Sequence, residues 1–237
     1  MMEPVLLTQP LSPCYLFSQI IHSPFAYPYP TTLLICGLTQ ADFLSALAQD
    51  ILASNSPDSK ELLSPPSLAQ LSTTRHVRTL FIPTVSHLRA LLSVFSIHDS
   101  KVPPPPPPFI SPQPQHQTNS ITTAPPLLLA YNFISSHRDT SEWSIQGISG
   151  TAAVLVEAAR REGLKAVIVD SAAVDLNEKI PVLSGSSRRI LGGKDAASGG
   201  GWTGRTAELN KVMRRWFRLR ENLDTVTCTV HGTGVGR

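Results

Sequence analysis

Between Pro125 and Asp170 the chain reads PPLLLAYNFISSHRDTSEWSIQGISGTAAVLVEAARREGLKAVIVD, two unbroken apolar runs with a stretch of helical spacing between them. LLLAYNFI and KAVIVD are short, apolar and, in the second, rich in β-branched residues, the pattern of strands buried on both faces of a parallel sheet. Between them Ile145, Ile148, Ala152, Leu155, Val156 and Ala159 recur on one helical face, with Glu157, Arg160, Arg161 and Glu162 on or near the other. Ser141 or Asp139 is placed to cap this helix and Gly163 to end it. Strand, helix and strand make a β-α-β unit. Parallel neighbours need such a crossover, so the predicted fold is α/β, a mostly parallel sheet flanked by helices.

The same reading extends to both sides. TTLLIC at residues 31 to 36 predicts a strand, followed by a helix from Gln40 to about Ala53 with Phe43, Leu44, Leu47 and Ile51 inward. Thr39 with Asp42 forms a capping-box pattern in which Asp replaces Glu. VRTLFI at 77 to 82 is a third strand, and Pro83 opens a helix through Phe95 that turns Leu88, Leu91, Leu92 and Phe95 inward. Arg205 to Phe217 reads as a helix with Leu209, Val212, Met213, Trp216 and Phe217 on one face. TVTCTV, residues 225 to 230, alternates as an edge strand does.

Composition limits how much of the chain is core. The 237 residues are 41% apolar, enough for one sizeable domain, but they include 21 prolines. The expected organisation is an arm over 1–30 and a single domain over 31–237. That domain carries a Pro-rich insert at 98–124, built on six consecutive prolines, and a Gly-rich loop at 184–204. The insert reads as a spacer or as a ligand for an SH3, WW or profilin-like module. The first 30 residues contain no Lys or Arg and six prolines, unlike a signal, transit or membrane segment. Cys14, Cys36 and Cys228 form no CxxC pair and suit a reducing compartment.

Catalytic chemistry is poorly supported by the residues. The strand-turn-helix at CGLTQAD is where a nucleotide-binding protein would wrap phosphates with glycine amides and a lysine; it offers one glycine, and the first lysine of the chain is Lys60. Asp170 ends an apolar run as a magnesium-binding aspartate would, yet a strand-end cap is the simpler role. Asp139 and Glu142 suit a helix start, where acids favour the macrodipole. His76, His87 and His98 recur every 11 residues, but Pro83 interrupts any single helix that would align them on a metal. Neither a nucleophile elbow nor a zincin motif occurs. No cofactor and no metal site are expected.

Charge changes the picture in one region. Residues 188 to 220 hold nine Lys and Arg against Asp195 and Glu208, which is +7, so with +3 overall the remainder carries −4. Arg188, Arg189, Arg205, Lys211, Arg214, Arg215 and Arg218 are the candidate nucleic-acid contacts, with Trp202 beside them as a stacking element for single strands. The plainer role for the same residues is a solvated helix face next to a loop.

The strand and turn at 31–42, VRTLFIPTVSHLRALLSVF, PPLLLAYNF, KAVIVD and the terminal VMRRWFRL, in that order, resemble the ATPase core of RecA-type recombinase paralogues over roughly residues 31 to 219. The nearest resemblance is to small subunits of Shu-type complexes, which pair with a SWIM-domain protein. In this alignment Tyr131 stands at the Walker B aspartate and CGLTQAD replaces Walker A. The resemblance implies a RecA-like pseudo-ATPase fold and a nuclear, non-enzymatic scaffold that assists homologous recombination. It also implies a hetero-oligomer with another recombinase paralogue or a SWIM-domain protein, DNA as a further partner, and no membrane association. From the residues alone, a degenerate nucleotide-dependent hydrolase or transferase remains the alternative.

Because a polyproline tract with a polar tail buries almost nothing and loop closure depends weakly on length, residues 98–124 are expected to be dispensable. Exchanging them for a short Gly/Ser linker should leave the melting transition nearly unchanged; a large loss of cooperativity would show that the tract packs on the core.

Overall fold

The structure is a computed structural model that describes residues 2–22, 31–53, 74–102, 126–183 and 202–221, with a few positions between 64 and 71. Six parallel strands form the sheet: β1 Val5–Leu7, β2 Thr31–Cys36, β3 Val77–Ile82, β4 Leu127–Tyr131, β5 Lys165–Val169 and β8 Arg218–Arg220, in the order β3-β2-β4-β5-β1-β8. The α/β fold expected from the apolar runs is present. Its inner strands β1, β2, β4 and β5 are buried on both faces because their side chains alternate between two cores. Leu33, Ile35, Leu129, Tyr131, Val167 and Val169 point to one, where Phe43 meets Phe17, Phe81 and Tyr131 edge-on at 5.7, 5.9 and 5.9 Å. Leu34, Leu128, Ala130, Ala166 and Ile168 point to the other.

Helices α1 Pro13–His22 and α2 Gln40–Ala53 cover the first core; α3 Val85–Val94, α4 Ile145–Arg161 and the five-residue α5 Leu209–Met213 cover the second. Local chemistry explains their ends. Thr39 and Asp42 cap α2 reciprocally, the Asp42 amide donating to Thr39 Oγ1 at 3.2 Å. Gly163, at φ 67°, ends α4: its N–H donates to the Arg160 carbonyl and that of Leu164 to the Ala159 carbonyl, a Schellman arrangement. The N-cap of α4 is Ser144, which accepts from the Gly147 amide at 3.0 Å, and neither Ser141 nor Asp139. Helix α3 likewise begins at Thr84's cap rather than at Pro83.

Three expectations are corrected. Segment 1–30 is not merely an arm. Val5–Leu7 lies inside the sheet, pairing with β5 on one side and β8 on the other, and α1 follows with Pro13 at its first position. A three-residue strand is too short for periodicity to reveal, and Pro4 and Pro10 on either side disguise it. The helix expected from Arg205 to Phe217 is β7 Trp202–Glu208, then α5, then a turn into β8. β7 pairs antiparallel with β6 Lys179–Leu183, so tertiary pairing overrides the helical spacing. The Gly-rich loop therefore ends before Trp202; residues 184–201 and the strand expected at 225–230 lie outside the described residues. At the start of the 98–124 insert the chain forms the 3-10 turn Ile97–Asp99, held by Ile97 N–H donating to Glu162 Oε2 at 3.0 Å, and residues 103–124 lie outside the described residues.

A half-buried polar network ties α3 to the start of α4. Arg89 Nη2 donates to Glu142 Oε2 at 2.5 Å and to the Gly147 carbonyl at 2.8 Å, while Nε donates to Thr151 Oγ1 at 2.8 Å. Glu142 thus serves an ion pair rather than the helix dipole alone. Only glycine fits at 147, since a Cβ there would sit 2.2 Å from the Glu142 carbonyl oxygen. His137, fully buried, completes the network: Nδ1 lies 2.8 Å from the Phe133 carbonyl, so it carries the proton, and Nε2 faces Thr151 Oγ1 at 3.1 Å. Burial pushes this imidazole down to about 4, with Arg89 acting in the same direction and the Phe133 carbonyl and Glu142 opposing.

The sign of the resulting pH dependence follows from proton binding. The unfolded chain takes up the proton near pH 6.5 and the folded one only near 4, so stability is full above 6.5 and falls as the pH drops through that window. The loss should reach about 3 kcal/mol at 1.36 kcal/mol per unit. Urea midpoints measured from pH 7.5 to 4 should show this step, and His137→Gln should flatten it; an unchanged slope in the variant would assign the step to other groups.

Candidate functional site

Ligands of open α/β sheets sit at the carboxyl ends of strands, where neighbouring strands send their connections to opposite faces. Here that point lies between β2, which leads to α2, and β4, which leads to α4. The chain's own side chains occupy it. Asn132, at φ 63°, donates Nδ2 to the Cys36 carbonyl at 3.1 Å and accepts from Ser171 Oγ at 2.8 Å. Asn tolerates this left-handed backbone where most residues do not. Gly37, the single glycine of CGLTQAD, gives its amide to the Ile82 carbonyl at 2.8 Å, and a Cβ there would meet Ser136 Cβ at 2.9 Å. Glycine serves close packing here.

A second strand-turn-helix, missed in the sequence, runs from β1 through TQPLS into α1 beside Asp170. Two of its amides are committed: Thr8 N–H donates to the Arg220 carbonyl at 2.8 Å, and Leu11 N–H to the Asp170 carbonyl at 2.9 Å. Pro10 has no amide to offer. A cavity of about 10 Å³ lies between this loop and Asp170, which is room for about one water. Tyr131, at the position where the resemblance would place an acidic residue, is buried and donates its hydroxyl to the Leu11 carbonyl at 2.9 Å. Burial raises its pKa.

Asp170 takes the structural role. Its carboxylate accepts from Ile134 N–H at 3.1 Å and Ser135 N–H at 2.8 Å, holding the start of the 3-10 turn Ser135–His137 at the end of β4. Burial pushes this carboxyl above the usual aspartate range, against the pull of those two donors and of Arg138. Arg138 is itself engaged with Glu178 at 2.5 Å and lies over the Trp143 ring at 4.5 Å. His76, His87 and His98 fall on a turn, on α3 and on a 3-10 turn, with His87 Nδ1 2.7 Å from Thr84 Oγ1.

The basic candidates divide. Arg188 and Arg189 lie outside the described residues. Arg205 is exposed on β7, opposite the far end of β6. Lys211 is exposed on α5 and paired with Glu208 at 3.4 Å. Arg214, Arg215 and Arg218 are exposed and line one open depression at the amino-terminal edge of the sheet, with Met2–Pro4 as its opposite wall. Arg214 Nε donates to Asn210 Oδ1 at 2.6 Å, and Arg218 pairs with Glu3. Arg215 makes no ion pair with a described residue. Leu209, Val212, Met213 and Phe217 face the core, as expected, while half-buried Trp216 donates Nε1–H to Ser149 Oγ at 2.9 Å. Trp202 opens β7. The structure therefore gathers Arg214, Arg215 and Arg218, sets Lys211 on the preceding helix, and leaves Arg205 apart.

Asp170→Ala should cost about 2–4 kcal/mol, since two buried amides lose a charged acceptor. Denaturant unfolding would measure this, and a loss below about 0.5 kcal/mol would show that the cap is dispensable.

No protein-family model and no curated protein matches the chain, so function is argued from these side chains.

Proposed function

We propose that this protein is a non-catalytic α/β scaffold of the recombinase-paralogue kind, which assists homologous recombination in the nucleus through protein and DNA contacts. Its partners would be another paralogue or a SWIM-domain protein, to which the resemblance in order of strands and helices points. The observation that carries the non-catalytic half is the filled strand edge: Tyr131, Asn132, Ser136 and Asp170 bond to the chain itself where a nucleotide would otherwise sit. The DNA half rests on exposed Arg214, Arg215 and Arg218 around one depression, with Lys211 nearby. Phosphates would take the place of the Glu3 and Glu208 carboxylates now paired with Arg218 and Lys211.

Two measurements test this reading. Magnesium with ATP, ADP or GTP should not raise the melting temperature, whereas a reproducible rise with one of them would favour the nucleotide-dependent enzyme. DNA binding should be weak and indifferent to sequence. The slope of log affinity against log salt should be roughly −2 to −4, for two to four phosphate contacts at about −0.9 each. Arg214→Glu with Arg215→Glu should lower both affinity and slope while preserving the fold; binding equal to the parent in moderate salt would refute the DNA half.

A further inference from the structure

The depression lined by Arg214, Arg215 and Arg218 has an apolar neighbour. On the other side of Met2 and Pro4, which line both, lies a hollow of about 340 Å³ walled by Val156, Ala159, Leu164 and Ala166, between the end of α4 and the start of β5. Among the described residues, the one charged side chain lining it is Arg160, whose guanidinium is held by Glu157 at 2.9 Å through both Nε and Nη2. The basic depression, by contrast, sets three arginines against Glu3 alone among the described residues, an excess of two positive charges. An apolar hollow and a cationic shelf thus share one rim, and Met2, which forms it, is exposed.

We infer that this double site takes a peptide segment of a partner protein in which a leucine or aromatic side chain is followed by acidic residues. The apolar side chain fills the hollow, and the carboxylates lie over Arg214 and Arg215. Charge complementarity selects the acidic residues, because two uncompensated arginines at the edge of an apolar surface reject a basic segment. The hollow selects protein over nucleic acid, since a phosphate backbone would neutralise the arginines and leave the apolar wall wet. The inference rests on the scaffold reading and deepens it: DNA and this segment share the arginines, so they compete.

The test uses the full chain with two fluorescent probes, a peptide of repeated Glu-Glu-Leu-Phe and a dT20 oligonucleotide, in moderate salt. The peptide should bind saturably and displace the oligonucleotide. Val156→Glu, which puts an anion in the hollow and not in the basic depression, should weaken the peptide at least tenfold and leave dT20 unchanged, and Met2→Gln, which removes apolar surface from the exposed rim without adding charge beside the arginines, should weaken the peptide more than dT20. Arg214→Glu with Arg215→Glu should weaken both probes. A Lys-Lys-Leu-Phe peptide that binds equally well, a Glu-Glu-Leu-Phe affinity insensitive to both Val156→Glu and Met2→Gln, or dT20 binding lost in Val156→Glu would each overturn the inference, the last by assigning the hollow to a base. Peptide binding without any dT20 binding would uphold the docking site and refute the DNA half of the proposed function.

Discussion

Three residues join the last strand of the sheet to the other four. Val5, Leu6 and Leu7 pair with Val167 and Ile168 on one side and with Arg218 to Arg220 on the other, so β8 has β1 as its sheet neighbour and β5 gains its second. Parallel strands gain little stability singly and must be covered on both faces. With β1 in place, Leu6 completes one core while Val5 and Leu7 complete the other. The chain flanking it is bound just as tightly: Pro4 accepts from Arg218 N–H at 2.9 Å and Thr8 N–H donates to Arg220. The loop after it reaches Asp170 and, through Leu11, Tyr131. The filled carboxyl edge and the rim shared by the two hollows both depend on this one strand.

What could be read from the chain follows its periodicity. Long apolar runs such as LLLAY and KAVIV, and the helix between them, carry enough residues for the pattern to dominate, and each is found with boundaries close to those expected. Strand β1 has three residues and no room for a period. β7 carries an amphipathic-looking sequence whose fate is decided by β6, some twenty-five residues earlier and itself without a strong pattern. Gly147 and His137 were invisible for a different reason: their roles arise only where α3, the 3-10 turn and α4 converge on Arg89.

The candidate site was legible in part. A run of arginines is visible as composition, and the apolar positions around it were enough to send Leu209, Val212 and Met213 inward and leave Arg214 and Arg215 outside. The opposing wall was not legible, because Met2 to Pro4 are more than two hundred residues distant in the chain and carry no motif. Charge pairing was equally hidden. Glu3 and Glu208 each take one of the basic candidates, so the count of arginines and lysines overstates the charge left for a ligand. The division of the tail into ribbon, short helix and edge strand then sets Arg205 apart from the others.

The placement of β1 bears on how the sheet assembles. β3, β2, β4 and β5 are neighbours joined through crossovers of moderate length, so they can gather as a unit, with both faces partly covered by α2, α3 and α4. β1 and β8 stand apart from this unit in a topological sense. Thr8 meets Arg220 across 212 positions, so closing that pair means closing a loop nearly as long as the chain. Long-range pairing of this kind comes late, because the entropy of closure is lost before the contacts repay it. By this measure the pairing of β1 with β5 and β8 carries the largest closure cost in the sheet, and a chain that has not yet made it presents the edge of β5 as an open invitation to another chain.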